Sequence, residues 1–144
     1  MPCRKSIFSI LHLTIFLFLS TTASADSSGL AQQQILGEWK GTDSTGETAS
    51  LIFYPDGRAE MRQGRMVLDD KTAGGKVTWE LDSQDPMHLD LVITVGDRER
   101  RMLMILRFVS DTQIQVQLSI DDTTRVRQFG PPGDPDQVTL TKQP

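Results

Sequence analysis

Strict alternation is the feature that most constrains this chain. In "TQIQVQLSI", Ile114, Val116, Leu118 and Ile120 face one way, and Gln113, Gln115, Gln117 and Ser119 the other. A period of two is the mark of a half-buried strand. The same reading places Val77, Trp79 and Leu81 of "KVTWEL" inside, with Leu89, Leu91, Ile93 and Val95 of "HLDLVITV". "RRMLMILRFV" differs, because both faces are apolar: Met102, Met104, Leu106 and Phe108 on one, Leu103 and Ile105 on the other. Such a strand is expected to be covered on both sides, or to contact the N-terminal turn.

Turn residues punctuate these runs. "YPDGR", "TAGGK", "SQDP", "VGDRE", "VSDT" and "DDT" separate strands expected near 36–42, 47–54, 57–68, 75–81, 87–95, 100–109, 112–120 and 137–142. Gly64 is expected to mark a bulge in the third. Residues 26–35 suit a helical turn, with Ser27 or Ser28 as cap and Gly37 as stop. "RVRQFGPPGDPDQ" (125–137) suits no ladder and is expected to be an excursion before the last strand. Eight consecutive strands joined by short turns predict an all-β, antiparallel, up-and-down barrel with a short N-terminal helical turn, since closure removes exposed edges. A two-sheet sandwich is the rival.

The first 25 residues read as a cleaved signal peptide. Arg4 and Lys5 precede an apolar run from Ile7 to Leu19, and Ala23 and Ala25 stand before the expected cut. That run is shorter than the roughly 20 residues a membrane span needs. Residues 26–144 then form a single domain placed in the periplasm or outside the cell, with no stable membrane anchor. This part has no Cys and therefore no disulfide. Without Arg4 and Lys5 it carries 13 basic and 19 acidic residues, a net charge of −6. That balance argues against nucleic acid or an anionic membrane as partner.

Several stretches resemble, in order, the small lipocalin-like domain of planctomycetal type, a domain of unknown function in exported bacterial proteins. They are "ILGEWKG", "SLIFYPDGRAEM", "KVTWELDSQDPMHLDL", "LRFVSDTQIQVQL" and "RVRQFGPPGDPDQVTLTK". The resemblance implies a lipocalin-like barrel and no activity. It also implies a closed end built from Gly37 and Trp39, with a late arginine packed on the Trp39 ring. Arg125 matches the family's position, and Arg127 is the same-face alternative. Where the family has Arg-Pro, this chain has Arg125-Val126. The avidins share the Gly-x-Trp opening, but Lys40-Gly41-Thr42-Asp43 supplies no biotin-binding set. Secreted metalloprotease inhibitors share it too, but they carry a disulfide this chain lacks.

The residues offer little for catalysis. His88 is the one histidine after the signal, on an outward position beside Asp90. The paired carboxylates Asp69-Asp70, Asp121-Asp122 and Asp134 with Asp136 lie in expected turns, and no Gly-x-Ser-x-Gly is present. The expectation is a non-enzyme with no cofactor and no metal site. It is expected to bind a small apolar or amphipathic ligand against Met102, Met104, Leu91 and Phe108. A protein-interaction or inhibitor module with a filled interior is the alternative.

Overall fold

The computed structural model describes residues 27–144. The expected signal peptide and its cut lie outside them. The elements are α1 (Ser27–Ile35), β1 (Gly37–Thr42), β2 (Thr48–Phe53), β3 (Ala59–Gln63), β4 (Met66–Leu68), α2 (Asp70–Ala73), β5 (Lys76–Asp82), β6 (Met87–Val95), β7 (Arg98–Ser110), β8 (Gln113–Leu118) and β9 (Gln137–Lys142).

All nine strands form one antiparallel sheet in the order β4-β3-β2-β1-β9-β8-β7-β6-β5. The first and last strands pair with each other, Trp39 opposite Lys142 and Gly41 opposite Leu140. Glycine is needed at that pairing. A Cβ on Gly41 would collide with the backbone carbonyl of Thr139.

The remaining seam lies between β4 and β5. An Arg58–Thr78 bridge spans it, and the Trp79 N–H donates to the Gly57 carbonyl at 3.0 Å. Farther along, the Val77 N–H donates to Asp70 Oδ1 at 2.7 Å. Asp70 is held there by α2, which Asp69 caps through a reciprocal bond pair with Thr72 and Gly74 ends at φ 67°. A side chain thus supplies an acceptor where a barrel would have a neighbouring strand. The result is a nearly closed barrel.

The count of nine corrects the expected eight. Gly64, at φ 55°, does not bulge one long strand. It opens a two-residue turn with Arg65, so that Gln63 pairs with Met66. Strand β8 also stops at Leu118, and Ile120, expected inside, is 95% exposed.

Inside, Phe53, Val77, Leu89, Leu106, Ile114 and Leu140 are fully or almost fully buried. Helix α1 lies across one end. Ile35 joins the core, Gln34 reaches Asp111 in the β7–β8 turn, and the helix packs against β5. The opposite end, at the β1–β2, β3–β4 and β6–β7 turns, carries no such lid among the described residues.

Outside, the excursion 119–136 covers the second apolar face of β7. It crosses β8, where the Gly130 N–H donates to Gln117 Oε1 at 3.0 Å. It reaches β7 and β6, where Arg125 donates to the Met104 carbonyl at 2.7 Å and to Asp90. Beneath it Ile105 is fully buried and Val92 nearly so. The doubly apolar strand is therefore covered on both sides, by the core and by the excursion.

Candidate functional site

Trp39 belongs to the closed end. It is fully buried, and its indole N–H donates to the Ile35 carbonyl at 2.7 Å. The cation over its ring is Lys142, with Nζ 5.2 Å from the ring centroid, and not Arg125 or Arg127. Lys142 also donates to the Gln34 carbonyl at 2.9 Å. Indole and ammonium together satisfy two carbonyls at the end of α1, which no further helical turn reaches. Gly37, at φ 109°, turns the chain from α1 into β1 beside Lys142.

Arg125 works on the outer face instead. Its Nη2 contacts Asp90 Oδ1 at 2.5 Å, and Arg101 Nη1 reaches Asp90 Oδ2 at 3.2 Å. Arg101 is shared with Glu80 at 2.6 Å and Glu99 at 2.9 Å, which together raise its pKa. Sequence alternation places Asp90 outward, and it is outward, yet its side chain is only 12% exposed because the excursion lies over it.

The open end holds the candidate binding site, as two adjoining recesses that share Met61 and Leu118. The inner one, of about 110 Å³, is walled by Ala49, Leu51, Met104, Val116 and Leu140. The outer one, of about 520 Å³, is walled by Met66, Leu68, Ile93 and Met102. Both ends of the excursion contribute: Ile120, Asp121 and Asp122 to the outer recess, Pro135 and Asp136 to the inner.

The expected ligand wall therefore divides. Met104 lines the inner recess and Met102 the outer. Leu91 is fully buried and lines neither. Phe108 packs 6.4 Å from Trp39 at the closed end. Met61 and Met66 were not expected. Their signal was "EMRQGRM", which folds back on itself once Gly64 is read as a turn.

Asp43 is one of three charged residues on the inner recess, with Arg62 and Asp136. The Thr45 hydroxyl and the Gln63 amide donate to Asp43 at 2.6 and 2.8 Å, as do the Thr45 and Glu47 N–H groups. These donors, Thr45 and Gln63 foremost, lower its pKa from 3.8 to about 2. A carboxyl whose folded pKa is depressed stabilises the fold above its unfolded pKa, and that contribution is lost as pH falls. The melting-temperature advantage of wild type over Asp43→Asn is expected to be constant above pH 5 (roughly one unit over the unfolded value) and to vanish as pH falls from about 4 to about 2. An advantage independent of pH would show that the charge of Asp43 is not what the turn uses.

His88 is half-buried, opposite Asp82 and Ile105. Among the described residues no group of three or more His, Cys, Asp or Glu side chains could hold a metal ion. What fold and site define is a nearly closed antiparallel barrel, plugged at one end and open to an apolar, methionine-bearing mouth at the other. No family model matches the chain, and neither the curated proteins nor the solved structures provide a match.

Proposed function

We propose that this chain is an exported, lipocalin-like barrel that binds a small apolar or amphipathic ligand, without catalysis, at its open end. One observation carries the reading: the outer recess joins an apolar row, Met61, Met66, Met102 and Leu118, to a charged side of Arg100, Arg101, Asp121 and Asp122. Methionine is unbranched and polarizable, so such a wall adapts to ligands of varied shape. A volume of about 520 Å³ falls within the usual range for small-molecule sites. The inner recess suits only the tip of a tail or a ring.

A protein-interaction module is the second reading. It is favoured by the filled closed end and by the apolar rim, where Ile120 is 95% and Met66 48% exposed. Native mass spectrometry of the protein isolated from its own cell envelope separates the two. A retained small-molecule mass supports the first and a bound protein the second. Met102→Asp is expected to weaken binding of an apolar fluorophore at least roughly tenfold, because a carboxylate would be desolvated on the ligand wall. An empty protein that also ignores such fluorophores would overturn the ligand reading.

A further inference from the structure

The methionines are unevenly placed. The described residues contain five, Met61, Met66, Met87, Met102 and Met104. Three of them line the outer recess and Met104 lines the inner one. They come from three strands. The β3–β4 hairpin pairs Met61 with Leu68 and Gln63 with Met66, so Met61 and Met66 share a face. Alternation along β7 puts Met102 and Met104 on the inner face. Two of the four, Met61 at 9% and Met104 at 2% exposure, are also members of the buried core, so the outer recess reaches the core through Met61. An apolar mouth needs only hydrocarbon; this one gathers thioethers.

Thioethers are soft, neutral donors, and they select soft cations over hard ones. Competing soft or imidazole donors are absent from the recess wall. No Cys or His lines it, and its carboxylates, Asp121 and Asp122, are already engaged. Asp121 accepts from Thr123 and Thr124, and Asp122 pairs with Arg100 at 3.5 Å. Arg101 is drawn to Asp90, Glu80 and Glu99, so its charge is compensated.

We propose that Met61, Met66 and Met102 form a binding site for a soft monovalent cation, Cu(I) or its redox-inert analogue Ag(I). This inference does not rest on the apolar-ligand reading. A thioether has no proton to lose, so the site has a signature that imidazole or carboxylate ligands lack. Its affinity does not weaken in mild acid.

The test is titration of the purified protein, labelled with ¹³C-methyl methionine, with Ag(I). The methyl signals of Met61, Met66 and Met102 are expected to shift together and saturate at one equivalent, while that of Met87 stays in place. The affinity is expected to vary less than about threefold from pH 8 to pH 5. Met61→Leu with Met102→Leu preserves volume and apolarity, and is expected to weaken binding by at least roughly tenfold. Shifts centred on Met87 or His88, an affinity that falls with acid, or unchanged binding in the double variant would each overturn the site. The labelled wild type localises the ion even where the double variant folds poorly.

Discussion

Replacing Trp39 with alanine is expected to lower the unfolding free energy by about 3–5 kcal/mol, the range for emptying a large, fully buried aromatic site. Three losses coincide there. The side chain is 0% exposed, so its removal leaves a cavity beneath α1. The Ile35 carbonyl loses its 2.7 Å donor, and an unpaired buried acceptor costs about 1–3 kcal/mol by itself. Lys142 loses the ring 5.2 Å below its ammonium. Trp39→Phe separates these contributions, because it retains most of the packing and deletes the N–H donor. Urea unfolding of the three proteins measures the difference. A loss below about 1 kcal/mol for the alanine variant would mean that the barrel end is not held through this residue.

The alternation that places Trp39 inside also locates most of the barrel. The strands expected at 87–95 and 137–142 occupy Met87–Val95 and Gln137–Lys142. Val138 and Leu140 of β9 and Leu89 and Leu91 of β6 face the core as alternation requires, but Val95, expected inside, is 43% exposed, and the outward Asp90 and Val92 are buried by the excursion. Alternation fixes the face of a residue and not its depth along the barrel. Met104, Leu91 and Phe108 all face inward, yet one lines the mouth, one the sealed core and one the plugged end. Which end a turn belongs to follows from closure, and closure is a property of the whole sheet.

Two other features were illegible for related reasons. Read as one bulged strand, residues 57–68 carry Met66 roughly 16 Å beyond Met61, at about 3.3 Å per residue. The turn at Gly64 brings it back beside its neighbour's row instead. Helix α2 has a cap and a stop, Asp69 and Gly74, but only four residues and no apolar face to announce it. The cation over Trp39 was expected late in the chain and is late, but the pairing of β9 with β1 brings Lys142, not Arg125, beside the ring. The excursion carries Arg125 away to a partner 35 residues distant in sequence. No local pattern encodes that pairing. Asp90 sits in an ordinary outward position, and only the segment laid over it makes it a buried charge.

Asp90→Ala is accordingly expected to cost about 2–4 kcal/mol, although alternation marks the position as surface. The variant leaves the Arg125 guanidinium, 19% exposed, with only backbone carbonyls for partners. Removing one member of a fully buried pair costs about 3–5 kcal/mol. The residual exposure here places the loss lower, since solvent partly screens the stranded charge. Asp90→Leu combined with Arg125→Met removes both charges and is expected to recover most of the loss, which a double-mutant cycle reads directly. The cost of the single variant is expected to persist in about 1 M salt, where the Debye length of about 3 Å screens exposed pairs such as Arg58–Asp56. Limited proteolysis supplies an independent readout: cleavage within 119–136 is expected to appear in Asp90→Ala before the rest of the barrel is cut. Because the two ends of that excursion wall the two recesses, the same variant is expected to weaken binding at the mouth without touching it. Unchanged stability together with an uncut excursion would mean that apolar cover over Ile105 and Val92, and not the Arg125–Asp90 contact, holds the segment down.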